Sequence, residues 1–207
     1  MKYLIFHRGN HNQKYMENSY HAFKSIIDII QLFPQYHFGV EFDIRLTSDN
    51  QYIIYHDEDL FRLHNLPHKI KDLSVSQIKQ IDDNIITLDE LNELYQNTNI
   101  LINIEIKEGL NLNLLSKYFN NPKFLLTTFN INIFNQLNCN NKLLLYEEFD
   151  IYYKGGITDY QKKHLYFGYL DGFYNINNLK DFLKIYKDDY KYLIIDNLLE
   201  ILLKLHK

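Results

Sequence analysis

The sequence predicts an α/β protein: a single (β/α)8 TIM barrel over residues 1–207, with one helix reduced or missing in its second half. Three observations carry that expectation. Short apolar runs alternate with stretches of helical period, as in parallel βα units and unlike a sandwich. Eight such runs can be counted, the number that closes this barrel. Four polar clusters, His7-Arg8-Gly9, Glu41-Phe42-Asp43, His56-Asp57 and Glu105-Ile106-Lys107, each stand at the end of an apolar run, and the C-terminal strand ends are where such a barrel carries its chemistry.

The elements follow in order. Residues 3–6 are a short apolar strand running into His7. Asn18 or Ser19 caps a helix over 20–33, with Ala22, Phe23, Ile26, Ile27 and Ile30 on its apolar stripe, and Pro34 stops it. In 39–46, Val40, Phe42, Ile44 and Leu46 alternate with Glu41, Asp43 and Arg45, the period of a strand. Asp49-Asn50 turns the chain into a third strand, 52–55, which ends at His56. Residues 60–73 read as loop. Ser74 with Gln77 and Thr87 with Glu90 have capping-box spacing ahead of helices over 75–81 and 87–95. The clearest strand is 100–107, with Ile100, Ile102, Ile104 and Ile106 on one face. Helix 112–119, strand 124–128, helix 131–137 and strand 143–146 come next. After the poorly patterned 147–169 come strand 172–176, helix 179–186, strand 192–195 and helix 198–205.

Composition narrows the function. With 207 residues, 46% hydrophobic and 23% charged, the chain can bury one sizeable core. A net charge of -4 and a pI near 6.1 lack the basic surplus of nucleic-acid binders, so no nucleic-acid partner is expected and phosphate recognition has to be local. The single cysteine, Cys139, excludes an intramolecular disulfide and fits a reducing, cytoplasmic compartment. No apolar run approaches the roughly 18 residues that span a bilayer. A Gly-rich dinucleotide fingerprint and a P-loop are both lacking.

Side chains two apart on a strand share a face, so Glu41 and Asp43 point one way while Phe42 and Ile44 point the other. Two neighbouring carboxylates at a dry barrel mouth each cost several kcal/mol if unpaired, and their mutual repulsion adds to that. Glu105 and Lys107 repeat the geometry on a later strand. Two arrangements satisfy these charges: a hard divalent cation, Mg²⁺ or Ca²⁺, held by Glu41, Asp43 and Glu105, or ion pairs of Glu41 with Arg8 and Glu105 with Lys107. His7 and His56 can give or take a proton near neutrality. Arg8 offers a planar fork for phosphate oxygens and Lys107 a point charge, while Gly9 lets the backbone approach closely. His11, His21, His37, His64, His68, His164 and His206 show no ligand pattern.

In order, these residues resemble the glycerophosphodiester phosphodiesterase family of TIM-barrel enzymes. The likeness runs through His7-Arg8-Gly9, Glu17-Asn18-Ser19 with Ala22-Phe23, Glu41-x-Asp43 with Leu46-Thr47 and Asp49, His56-Asp57 with Leu60 and Arg62, Thr87-Leu88-Asp89-Glu90-Leu91, and Glu105-x-Lys107. It implies that Glu41, Asp43 and Glu105 hold the divalent cation, that His7 and His56 are the acid/base pair, and that Arg8 and Lys107 bind phosphate. Glu17, Asn18 and Asp57 would support them. The second half departs from the family pattern: Thr127-Thr128-Phe129 stands for Ser-Phe, Tyr174-Asn175-Ile176-Asn177 for Trp-Thr-Val-Asn, and Ile195-Asp196-Asn197-Leu198 for Thr-Asp-Asn-Pro. The chain between the first two is short, which places the reduced helix around 147–169. Phe129 and Tyr174 are expected in the pocket for the alcohol.

The expected function is therefore hydrolysis of a small glycerophosphodiester to glycerol phosphate and an alcohol. A phospholipase D-like lyase that releases a cyclic phosphate is one alternative. A binding protein that holds a phosphodiester or lipid headgroup without cleaving it is the other.

Overall fold

A computed structural model describes residues 2–145, 163–165, 171–176, 178–187 and 191–206. Its first half contains β1 (Tyr3–Phe6), α1 (Tyr20–Leu32), β2 (His37–Leu46), β3 (Tyr52–Ile54), α2 (Phe61–His64), α3 (Val75–Ile81), α4 (Leu88–Tyr95) and β4 (Leu101–Glu108). There follow α5 (Leu112–Leu115), β5 (Phe124–Thr128), α6 (Ile131–Gln136), β6 (Lys142–Leu144), β7 (Lys163–Leu165), β8 (Asp171–Ile176), α7 (Leu179–Ile185), β9 (Tyr192–Ile195) and α8 (Leu198–Leu205).

The strands form one sheet in the order β6-β5-β4-β2-β1-β9-β8-β7. Every neighbouring pair is parallel except β7 on β8. The first strand thus lies beside the last, as a sheet wound back on itself requires. Among the described residues it is an open parallel sheet, and the closed eight-stranded barrel of the sequence reading is not reached.

One strand is placed differently from that expectation. β3 pairs antiparallel with β2, through Ile44↔Ile54 to Leu46↔Tyr52, and is the return arm of a hairpin. The reason is the length of β2. β4 takes one edge of β2 along Gly39–Arg45, while β1 covers only His37–Val40 of the other edge. The upper part of that edge is left for β3.

Strand parity sorts the core into two layers. Leu4, Phe6, Val40, Phe42, Ile44, Ile102, Ile104 and Ile106 pack outward against helix residues such as Phe23, Ile26, Leu91 and Leu202. Ile5, Leu101, Leu125, Leu143, Tyr192 and Ile194 make a separate inner cluster. The stretch after β3, read as loop, folds over Ile53 and Tyr55: Leu60 and Ile70 pack there with Ile78 and Ile85, which gives it α2 and a 3-10 turn at Ile70–Asp72. Both capping boxes form, at Ser74 with Gln77 and at Thr87 with Glu90. Ser19, not Asn18, caps α1. No helix among the described residues is long and apolar enough to cross a membrane.

Candidate active site

At the end of β1 the chain makes a tight left-handed turn, with Arg8 at φ 52° and Gly9 at φ 84°. Placing a bulky residue such as arginine there costs about 1–2 kcal/mol, so the surroundings must fix it. They do: the Arg8 N–H donates to Glu41 Oε2 at 3.1 Å, and the Asn18 N–H donates to the Arg8 carbonyl at 2.9 Å. The Arg8 guanidinium reaches Glu17 Oε1 at 3.1 Å and Asp43 Oδ2 at 3.4 Å. Asn18 Nδ2 donates to the same Asp43 oxygen at 2.9 Å.

β2 and β4 supply the carboxylates. Their register sets Asp43 opposite Glu105, and Glu41 lies two residues earlier on the same inner face. Oxygens of Glu41, Asp43 and Glu105 lie within 4.8 Å of one another, a grouping that can hold a metal ion. All three are buried, Asp43 to 1% exposure. Lys107 Nζ donates to Glu105 Oε1 at 2.7 Å and sits 3.3 Å from Asp43 Oδ1.

The cluster has too few cations for its charge. Burial raises the Glu41 carboxyl well above its ordinary pKa, and the neighbouring Asp43 and Glu105 push it further. Burial and Asp43 raise Glu105 as well, against Lys107. Burial also opposes ionisation of Asp43, but Lys107 and Arg8 outweigh it and hold that carboxyl low. The ion pair expected between Glu105 and Lys107 is present. Glu41 is met by the Arg8 backbone N–H at one oxygen, and its buried Oε1 has no hydrogen-bond partner. An ionised oxygen left so is expensive. A cation among the three carboxylates would satisfy it, and hard oxygen donors suit Mg²⁺ or Ca²⁺.

The β2–β3 hairpin returns His56 to this level. The Tyr55 N–H donates to the Asp43 carbonyl at 3.0 Å, and Arg45 Nε donates to the His56 carbonyl at 2.8 Å. The His56 Nδ1 lies 2.7 Å from Asp57 Oδ1. Burial lowers the pKa of this imidazole, against the pull of Asp43. Arg62, on α2, then ties the loops together: its Nε donates to Asp57 Oδ2 at 2.6 Å and its Nη2 to Glu17 Oε1 at 2.5 Å. On the opposite side, His7 Nε2 lies 3.8 Å from Glu41 Oε2, and its Nδ1 contacts Asp196 Oδ1.

A cleft of about 570 Å³ opens beside Glu105 and Lys107, lined also by Arg45, Glu58, Glu108, Phe129 and Ile131. Lys107 Nζ is 6.0 Å from the Phe129 ring centroid. The structure therefore brings together His7, Arg8, Glu17, Asn18, Glu41, Asp43, His56, Asp57, Glu105, Lys107 and Phe129. Tyr174 falls in β8, but its side chain lies outside the described residues, as does most of the reduced helix expected at 147–169. The sequence analysis matched Asp196 to the family's Thr-Asp-Asn-Pro stretch without giving it a role and found no ligand pattern at His11, yet with His7 these two form a second cluster of possible ligands. The signal for Asp196 was available, since Tyr192, Ile194 and Asp196 share the inward parity that singled out Glu41 and Asp43.

Fold and site define a class: an α/β protein with carboxylates suited to a divalent cation at the C-terminal ends of parallel strands. Within it, the chain belongs to the glycerophosphoryl diester phosphodiesterase family, whose model matches residues 7–164. A glycerophosphodiester phosphodiesterase from Caldanaerobacter subterraneus subsp. tengcongensis is 32% identical over an alignment of 118 residues that covers 52% of this chain and 46% of that protein. One from Bacillus altitudinis is 30% identical over an alignment of 115 residues that covers 50% of this chain and 43% of that protein. Each match thus spans less than half the length of the relative. The fold is similar to that of a glycerophosphodiester phosphodiesterase from Thermotoga maritima, with a TM-score of 0.71 and 24% identity over 99% of this chain and 98% of that one. It is similar as well to an Oleispira antarctica phosphodiesterase solved with its product sn-glycerol-3-phosphate, with a TM-score of 0.70 and 16% identity over 99% and 96% of the chains.

Proposed function

We propose that this chain is a cation-dependent phosphodiesterase that cleaves a glycerophosphodiester to glycerol phosphate and an alcohol. The observation that carries the reading is the buried Glu41 Oε1, without a hydrogen-bond partner, inside a three-carboxylate group flanked by His7, His56, Arg8 and Lys107. Membership of the family supports the choice of substrate. In this reading the chain is a single domain with the barrel fold expected from its sequence, acting in the cytoplasm.

Glu41, Asp43 and Glu105 would hold Mg²⁺ or Ca²⁺. When bound, the cation supplies positive charge against the phosphate as its negative charge builds. Arg8 and Lys107 grip the non-bridging phosphate oxygens from two sides, the guanidinium as a fork and the ammonium as a point charge. One imidazole takes the proton of the nucleophile, a water or the neighbouring glycerol hydroxyl, while the other protonates the leaving oxygen. Glu17, Asn18 and Asp57 hold these groups in place, and Phe129 lines the pocket for the alcohol.

Turnover of a panel of glycerophosphodiesters with Mg²⁺ or Ca²⁺ tests the reading. Glycerol phosphate is the expected product, with a loss of at least about 100-fold in His7→Ala and in His56→Ala, and reversible loss under a chelator. Diester binding without turnover, or unchanged hydrolysis by either variant, overturns it. A cyclic phosphate as the final species in the phosphorus NMR spectrum assigns the lyase course instead.

A further inference from the structure

We propose that Asp196 is a positioning residue for His7: its carboxylate accepts the Nδ1–H hydrogen bond, so that Nε2 is the nitrogen presented to the reacting groups. The inference rests on the reading of His7 as a proton-transfer group. It extends the site to the end of the last strand, beyond the residues 7–164 that the family model matches.

The fold places the pair. β1 and β9 run parallel with Phe6 opposite Ile195, so His7 and Asp196 leave adjacent strands side by side. The His7 N–H donates to the Ile195 carbonyl at 3.2 Å, which ties the backbone of the histidine to the residue preceding the aspartate. Tyr192 and Ile194 lie in the inner cluster, and Asp196 continues their phase toward the site. There its Oδ1 contacts His7 Nδ1, while His7 Nε2 faces Glu41 Oε2 at 3.8 Å.

The chemistry of the contact fixes the direction of the hydrogen bond. Burial pushes the Asp196 carboxyl up, but the imidazoles of His7, in contact with it, and of His11, close by, outweigh burial and hold the group below its ordinary range. An ionised carboxylate can only accept, so the proton sits on His7 Nδ1 and a neutral ring carries its lone pair on Nε2. His11 Nε2 lies 3.9 Å from the same oxygen. His56 is held in the same sense by Asp57 at its Nδ1. The two imidazoles are thus oriented alike, one by the next residue in the chain and the other by a residue 189 positions away.

Two-bond ¹H–¹⁵N spectra of the full chain with Mg²⁺, the His7 signals assigned by their loss in His7→Ala, report the tautomer directly. His7 is expected to carry its proton on Nδ1, and Asp196→Ala to abolish that preference. Asp196→Asn and Asp196→Ala should lower kcat by about 100-fold or more with KM within threefold, and Asp196→Glu should recover part of the loss. Asp196→Asn, nearly the same shape, carries the kinetic test if the alanine variant does not fold. A wild-type His7 bare at Nδ1, or turnover within threefold of wild type in both Asp196→Asn and Asp196→Ala, overturns the proposal. If the wild-type protein turns over no glycerophosphodiester, the functional reading fails, and the tautomer still decides for or against Asp196.

Discussion

Gly9 sits at φ 84° directly after an arginine at φ 52°, and a Cβ built on it would lie 3.1 Å from Ala22 Cβ and 3.2 Å from the Phe23 ring. A side chain at this position meets both a left-handed backbone and the packed start of α1. Gly9→Ala is therefore expected to cost about 1–2 kcal/mol, and in a chain of this size to lower Tm by about 2–8 °C. The neighbouring Arg8 N–H should then lose its alignment with Glu41, so cation affinity falls along with stability. A thermal melt paired with a cation titration checks this, and an alanine variant that melts and binds like wild type would show that the turn tolerates a side chain. From sequence, Gly9 was legible as a point of close backbone approach. The left-handed φ of Arg8 was not, because arginine carries no preference for it and the conformation is held by Glu41 and Asn18, residues remote in the chain.

Among the elements, α1, α2 and the β2–β3 hairpin are joined by Arg62, which bridges Glu17 ahead of α1 to Asp57 after β3. Arg62 is about half exposed, so solvent screens the pairs, and Arg62→Ala should cost only about 0.5–1 kcal/mol near neutrality. Burial raises Glu17 and Asp57, but Arg62 and their other partners outweigh it, so both carboxyls titrate below their ordinary values in the folded protein. A depressed carboxyl contributes stability that is fully present above its unfolded pKa of about 4 and is lost as pH falls through the folded value. The gap between wild type and Arg62→Ala in urea denaturation should therefore hold at neutral pH and close in acid. A gap that widens in acid would contradict it. Element existence and strand phase were readable because parity and capping depend on local sequence: Glu41, Asp43, Ser74 and Thr87 all sit where they were expected. The direction of β3 was not, since it depends on which edge of β2 β1 leaves uncovered. The inward parity of Asp196 was legible too, but its pairing with His7 depends on the β1–β9 register, a contact across nearly the whole chain.

For the whole molecule, three buried carboxylates face two cationic side chains, and Glu41 Oε1 is left without a hydrogen-bond partner. The metal-free protein carries that imbalance as a cost, and a cation that binds only the folded state offsets it. Stabilisation by a ligand follows RT ln(1 + [L]/Kd), about 2.7 kcal/mol at a hundredfold excess over Kd. In a domain of this size that is a rise in Tm of about 5–10 °C. Glu41→Gln removes the charge and keeps the shape, so two opposite effects should appear in one variant. Without cation it should be more stable than wild type by about 1–3 kcal/mol, because the cost of burying this carboxyl, as an unpaired charge or by taking up a proton, is gone. With Mg²⁺ or Ca²⁺ it should gain little, because one of the three hard ligands is gone. The two melting curves are thus expected to cross as cation is added, and the crossing does not depend on which diester is cleaved or on whether any is. If cation shifts wild type and Glu41→Gln equally, the three carboxylates are not the binding site. If it shifts neither, the charge imbalance is met within the protein, and the role given to Glu41, Asp43 and Glu105 has to be abandoned.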